Sequence, residues 1–432
     1  MISREVLEDV AAGWRDNIAG EPVIHRDISP AVEKNLAQEE VTVIKGVRRS
    51  GKTFIVYELF QKYGGVYVNF EDERLSGFSN EDFEKLYDIV MAEKGKTSEN
   101  AELNKKIEAR PLLYMDEVQN IAGWEKFAHR AHRKMKMVVT GSNSSLLSSD
   151  YATALVGRTK SFTVHPLSYP EFLRFKNYGA ERRSLMEYMK LGGFPRIVLG
   201  SDISLANEYF DTIIYKDILG NKNLKTSGPR HPDAIKKLAV YLLSNVGKEF
   251  SYNSLKSLCG LKHDQTIKEY VALLKDAFLL DILNRFAPSL KTQESYQKKV
   301  YSVDPAFINL GKRRDEDYGR RLENIIYGHL KISWDDIYFV KDEKEVDFML
   351  CSGLEPKKLI NVTYDAGNEG TLQREIASLN HFSTRFKIPA ELIAAYPCPT
   401  PPEIGFRLAH RYLLKQEQEG EKILGQDNSR CD

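Results

Sequence analysis

"VTVIKGVRRSGKTFIV", residues 41–56, sets a β-branched run directly against the pattern G-x-x-x-x-G-K-T, which spans Gly46 to Thr53. "VTVI" suits a buried strand, and "TFIVYELFQKY" has helical spacing. The loop between them therefore opens a helix whose N-terminus favours anions. Gly46 and Gly51 let the backbone turn tightly enough to aim several N–H groups at one phosphate chain. The phosphate-binding segment is expected to comprise Gly46, Arg49, Ser50, Gly51, Lys52, Thr53 and Phe54. Lys52 brings a point charge toward the β- and γ-phosphates, and the Thr53 hydroxyl is a ligand for Mg²⁺. ATP and Mg²⁺ are the ligands this pattern implies.

A phosphate loop needs a carboxylate partner, and "LLYMDEV" at Leu112–Val118 supplies one. A strand ending in two acids places Asp116 near hydrated Mg²⁺ and lets Glu117 polarise a water for attack on the γ-phosphate. The next strand, "KMVVTGSNSSLL", ends in Ser142 and Asn143. Two readings stand there: a polar side chain that orients the attacking water, or a simple strand-end turn.

The 432 residues are too many for one ordinary core, so two or three domains are expected. Apolar residues at 42% and charged residues at 28% give an ordinary globular balance with a net charge of +1. The charge is unevenly placed. Glu71–Lys126 carries 14 acidic and 8 basic side chains, whereas Lys216–Lys262 carries 9 basic and 3 acidic. The second tract faces either an anionic polymer or only solvent. Cys259, Cys351, Cys398 and Cys431 show no C-x-x-C spacing, which argues against a disulfide framework or a zinc site. No apolar run reaches the roughly 18 residues of a membrane span, and "MISREVLEDV" is charged rather than signal-like. A cytoplasmic protein is expected, with no membrane contact.

Strands alternate with helices up to about Ser168, which argues for a parallel sheet covered on both faces with its ligand at the strands' C-terminal ends. The N-terminal helix is expected to start after Ser3 as its cap, and the helix in "SNEDFEKLYDIVMAEKG" after Ser79 or Asn80. His129 and His132 in "EKFAHRAHRKMK" read as a basic, solvated helix face, since no carboxylate or cysteine lies at metal-ligand spacing. Beyond Ser168 the pattern turns helical. The polar stretch Gly220–Asp233 is the best boundary candidate.

In order, "GVRRSGKT", "VYVNFEDERL", "LLYMDEVQN", "VVTGSNSSLL", "VGRTKSFTVHPLSYPEFL" and "GGFPRIV" resemble the prokaryotic AAA-type ATPases related to origin-recognition and signalling ATPases. The resemblance implies a phosphate loop at Gly46, Gly51, Lys52 and Thr53, an acidic pair at Asp116 and Glu117, and a sensor at Asn143 or Ser142. It also implies that Arg158 reaches the nucleotide of a neighbouring copy in a homo-oligomer, against the alternative of a surface salt bridge. Arg196 is implied as a phosphate sensor in a helical lid.

Asp233–Phe286 looks like a winged helix-turn-helix. Its third helix would present Lys262, His263, Gln265, Thr266 and Lys268 to double-stranded DNA, and a protein-binding role is the alternative. Further on, "YGRRLENIIYGHL", "DDIYFVKDEKEVDFML" and "KKLINVTYD" resemble the restriction-endonuclease-like core. Glu323 and Asp347 match its helix and hairpin acids. Asn361 and Thr363 stand where an active enzyme carries an acid and a lysine, so the domain is expected to be shaped like a nuclease without cleaving.

The expected fold class is α/β: a P-loop AAA-type parallel sheet with a helical lid, then a winged helix and an α+β nuclease-like domain. The expected divisions are an ATPase core at 1–167, a lid at 168–222, a winged helix at 223–300 and the nuclease-like domain at 301–432. The function expected is an ATP-hydrolysing switch acting on DNA. The alternatives are a nucleotide-dependent signalling or scaffold protein with a protein partner, and an ATP-gated nuclease.

Overall fold

A computed structural model of the chain describes residues 1–93, 106–107, 110–142, 155, 157–220, 231–310 and 317–415. They form two compact units, each built from discontinuous segments. The first holds 1–167, 194–232 and 269–279; the second holds 168–193, 233–268 and 280–432.

The first unit is built on five parallel strands: β1 (Val41–Lys45), β2 (Val66–Asn69), β3 (Leu112–Asp116), β4 (Lys136–Gly141) and β5 (Thr159–Thr163). Their spatial order is β2-β3-β4-β1-β5. The alternation of side chains along β1 feeds two cores. Val41 and Val43 join Val68, Met115, Val139, Leu86 and Trp124 on one face, while Ile44 joins Tyr67, Tyr114, Val138 and Leu59 on the other. Helix Lys52–Tyr63 covers the second face and helix Asp82–Ala92 the first. β4 lies between β1 and β3, so the ends of those two strands stand one strand apart at the C-terminal edge, the usual place for a ligand in such a sheet.

Local expectations are met at the N-terminus, where the Ser3 hydroxyl accepts from the Val6 N–H at 3.3 Å and opens helix Arg4–Ala19. The acidic helix starts later than the sequence suggests. Its cap is Glu81, because the carboxylate of Asp82 turns back to accept from the Ser79 N–H at 2.9 Å and from the Ile2 N–H at 3.0 Å.

The second unit carries eight strands: β6 (Glu249–Phe250), β7 (Leu280–Arg285), β8 (Lys298–Ser302), β9 (Asp336–Lys341), β10 (Glu345–Ser352), β11 (Glu355–Thr363), β12 (Ala390–Ala394) and β13 (Gly405–Leu408). They form one sheet in the order β13-β12-β11-β10-β9-β7-β8-β6. This departs from a division at residue 300. β8 crosses that position, and β7 pairs in parallel with β9 through Asn284–Tyr338 and Arg285–Phe339. An otherwise open edge of the β7–β8 pair is thereby covered, which keeps its backbone groups bonded.

The helical stretch expected as one lid is likewise divided at Gly193. Asp304 explains the attachment of 168–193 to the second unit: its carboxylate accepts from the Gly193 N–H at 2.7 Å and the Ala306 N–H at 2.8 Å. Gly192 has to be glycine there, with φ +74° and a Cβ position 1.9 Å from Asp304 Oδ1. Burial pushes the Asp304 carboxyl up to about 7, with its two N–H donors opposing. The folded chain therefore holds a proton that the unfolded chain has released, so stability falls as pH rises from about 4 to 7. Asp304→Asn is expected to abolish that slope in urea melts run across the window, whatever its effect on stability at low pH.

Candidate functional site

The phosphate loop lies between β1 and helix Lys52–Tyr63, and its shape follows from its glycines. Gly46 has φ +148°, and a Cβ there would stand 2.1 Å from the Val164 carbonyl oxygen on the neighbouring strand's extension. Gly51 caps the helix with φ 97°, and Arg49 takes a left-handed φ of 71° that side chains rarely adopt. The buried ammonium of Lys52 donates to the carbonyls of Gly46 at 3.0 Å and Val47 at 3.2 Å. Burial pushes Lys52 down, while Glu117, Asp116 and Asp217 pull it back up.

Asp116, at the end of β3, is fully buried and accepts three hydroxyl donors: Thr53 at 2.9 Å, Tyr67 at 2.7 Å and Thr140. Burial pushes its carboxyl up and the three hydroxyls oppose that. Glu117 has a left-handed φ of 57°, which turns its side chain away from the strand's alternation. Its N–H donates to Thr140 Oγ1 at 3.0 Å, and its carboxylate accepts from the amide of Gln119. Gln119 Nε2 also reaches Ser142 Oγ at 3.5 Å.

The structure thus brings Lys52, Thr53, Asp116, Glu117 and Ser142 together at the strand ends of the first unit. Asn143 lies outside the described residues. Phe54 is 41% exposed beside the loop, and its ring meets Tyr57 at 5.6 Å. Arg158 is half-buried just before β5, where its carbonyl accepts from the Val41 N–H at 2.8 Å. Arg196 is exposed on the first turn of helix Pro195–Gly200, and Pro195 beside it stands 3.6 Å from a Cβ position on Gly51.

Sequence reading missed several side chains that hold this arrangement. Arg26 is buried and donates to the carbonyls of Ser50 at 2.8 Å and His165 at 2.9 Å, pinning the loop from behind. Arg48 is paired with Asp217, and Asp217 also accepts from Ser142 Oγ at 3.0 Å. A lone acid inside the apolar run "IIYKDIL" was the available signal for Asp217, since buried carboxylates need partners. Arg49 lies over the Tyr209 ring, 5.7 Å from its centroid.

The residues present fit a nucleotide with Mg²⁺. The Ser50 hydroxyl is buried in the loop with no hydrogen-bond partner. Thr53 and Asp116 offer hard oxygen donors side by side, which suits Mg²⁺. No three His, Cys, Asp or Glu side chains gather to hold a metal among the described residues. A cation at Thr53 and Asp116 would therefore complete its shell from phosphate oxygens and water. His129 and His132 have ring centroids 6.2 Å apart. His132 is buried rather than solvated as its helix face suggested, with Nδ1 2.8 Å from the His129 carbonyl.

In the second unit, Lys262, His263, Gln265 and Lys268 are exposed around the start of helix Asp264–Asp276, and Thr266 is half-buried. Asp264 pairs with Lys256 at 2.8 Å, so this face carries both signs. Lys268 lies over the Tyr252 ring at 5.4 Å.

Glu323, Asp347 and Asn361 do converge. Asn361 Oδ1 accepts from the Asp347 N–H at 3.0 Å, and its amide donates to Glu375 Oε2 at 2.7 Å. Thr363 is buried two residues along the same face of β11. No lysine was expected here, because Asn361 and Thr363 stand on β11 where an active enzyme carries an acid and a lysine. The structure brings Lys299 from β8 into the group, 2.7 Å from Glu345, 3.4 Å from Glu323 and 3.5 Å from Asp347. Burial pushes Asp347 well up, and Glu323 adds to that while Lys299 opposes.

Residues 38–173 match the AAA domain family, and residues 182–316 match a domain of unknown function, DUF8612. An uncharacterized protein of Methanocaldococcus jannaschii is 31% identical over 407 residues, covering 87% of this chain and 85% of its own. Another, from Haemophilus influenzae, is 30% identical over 334 residues, covering 72% of this chain and 79% of its own. The chain belongs to the family of these two proteins, and it carries a P-loop AAA domain. The Walker-type ATPase of Pyrococcus abyssi has a structure similar to 67% of this chain and 95% of its own, with 15% identity and a TM-score of 0.43. No helix among the described residues is long and apolar enough to cross a membrane.

Proposed function

We propose that the chain is an ATP-binding and ATP-hydrolysing switch that acts on double-stranded DNA. The observation that carries this reading is the meeting of Lys52, Thr53, Asp116 and Glu117 at the ends of β1 and β3, with Thr53 bonded to Asp116 at 2.9 Å. The backbone N–H groups from Gly46 to Phe54 hold the phosphates, and Lys52 leaves its two carbonyl partners for the β- and γ-oxygens. Water attacks the γ-phosphorus, the bond to the bridging oxygen breaks, and ADP leaves with that electron pair. Glu117 takes the water's proton. Thr53 and Asp116 would hold Mg²⁺, which neutralises phosphate charge when bound. Arg158 is assigned to the nucleotide of a neighbouring copy.

Support for DNA is the exposed set Lys262, His263, Gln265 and Lys268 at the start of one helix, residue types that meet phosphates and base edges. The test is steady-state phosphate release with and without duplex DNA, alongside DNA binding at rising salt. DNA that stimulates release and binds less tightly as salt rises supports the reading. ATP turnover that ignores DNA moves the function to a signalling or scaffold protein. Plasmid nicking with Mg²⁺ or Mn²⁺, run in parallel, is expected to be negative.

A further inference from the structure

The doublet Arg48-Arg49 inside the phosphate loop has partners that nucleotide binding alone does not explain. The Arg48 guanidinium grips Asp217 through Nε at 3.1 Å and 3.2 Å and through Nη2 at 2.9 Å. Its Nη1 donates to Glu71 at 3.0 Å. The two ion-paired side chains are 11% and 4% exposed, so this is a buried pair inside the first unit. Asp217 belongs to Ile213–Leu219, which winds as a π-helix directly after helix Leu205–Thr212. Such turns are rare and concentrate at functional sites. Arg49 sits over Tyr209 on the preceding helix, so the doublet ties the loop to one continuous helical segment at two points. The Tyr209 hydroxyl is buried without a partner.

We propose that Arg48 recognises the γ-phosphate of the nucleotide bound to its own loop, and that Asp217 holds it away until a triphosphate arrives. The proposal rests on the reading of the loop as an ATP site. Arg48 is close enough to Lys52 and Glu117 for its charge to act on both, and those are the groups that flank the γ-phosphate. A buried arginine gives up a bidentate carboxylate only for another anion of matching shape, and a phosphate is one. ADP offers no such group at that place. The exchange frees Asp217, with the Ser142 hydroxyl still bonded to it, and so loosens the π-helical turn from the loop. The triphosphate, and not the diphosphate, is thereby reported to the segment 205–219. Burial pushes the Asp217 carboxyl up while Arg48 and Ser142 hold it down, so the freed acid is predisposed to take a proton rather than stay a buried anion.

The test is fluorescence titration of the full chain with a non-hydrolysable ATP analogue and with ADP, for wild type, Arg48→Ala and Asp217→Asn. Wild type is expected to prefer the triphosphate. Arg48→Ala is expected to lose about tenfold in analogue affinity, the weight of one charge-assisted contact, with ADP affinity held within about twofold. Asp217→Asn is expected to tighten the analogue and leave ADP alone. Equal weakening of both nucleotides by Arg48→Ala would assign Arg48 to loop shape only and overturn the proposal. Should Asp217→Asn fail to fold with its arginine unpaired, the pair Arg48→Gln/Asp217→Asn keeps a neutral hydrogen bond in place. That pair must then lack the triphosphate preference, or the proposal falls. A wild-type chain that binds neither nucleotide defeats the ATP reading instead.

Discussion

Glu117→Gln is expected to lower ATP hydrolysis by about 10²–10⁴-fold, the usual weight of a positioned general base, while ATP still binds. The geometry makes this substitution unusually clean. The Glu117 backbone is pinned in its left-handed conformation by its own N–H on Thr140 and does not depend on the side chain. The carboxylate's partner is the Gln119 amide, and a glutamine oxygen accepts that bond equally well. What is lost is the ability to take a proton, together with one of the three negative charges that hold up the Lys52 ammonium. Lys52→Ala differs, because it removes the charge that meets the phosphates, so binding and hydrolysis fall together. Single-turnover phosphate release and analogue titration on both variants separate the two effects. Hydrolysis unchanged in Glu117→Gln would move the base to another acid, and Asp217 is the next carboxylate beside the loop.

The first unit's sheet and loop were legible because their signals are local. "VTVIKGVRRSGKT" and "LLYMDEV" each contain strand, strand end and polar residues within a few positions, and the structure joins them through Thr53 and Asp116. Asp217 stood out only as a lone acid, and its pairing was not legible, since Arg48 is 169 residues away and only the fold brings the two together. Lys299 was hidden for a related reason. The sequence places Glu323 and Asp347 by local pattern, but a lysine on a strand assigned to a different domain enters only when β7 pairs with β9. Glu375 was equally hidden. It stands in a mixed helical run, "LQREIASLN", with nothing local to separate it from a solvated acid. His132 shows the limit of charge reading. A helix full of basic residues looks solvated, yet the side nearest the core buries one of them.

Lys299→Met is expected to destabilise the second unit by about 3–5 kcal/mol at neutral pH, the cost of leaving buried charge without its partner. Lys299 is 3% exposed in its side chain and stands among Glu345, Glu323 and Asp347, with Tyr301 donating to Glu323 at 2.6 Å. Burial alone would lower the ammonium's affinity for its proton, but the three carboxylates raise it well above the ordinary lysine value. A folded value above the unfolded one means that this stabilisation is complete below about pH 10 and is lost only as pH rises beyond that. It is therefore present in full at pH 7, where methionine fills the volume but supplies no charge. The carboxylates then relieve one another by taking protons. Asp347 is already pushed well up by burial and by Glu323, and without Lys299 it rises further. A folded acid above its unfolded value gains stability as pH falls toward about 4, so the deficit of Lys299→Met should shrink between pH 7 and pH 5. Urea unfolding of both chains at the two pH values measures this directly. Equal stability at pH 7 would mean that the acids already share protons among themselves, and that the lysine is a passenger. The expected deficit would instead identify Lys299 as the internal cation that holds Glu345, Glu323 and Asp347 together.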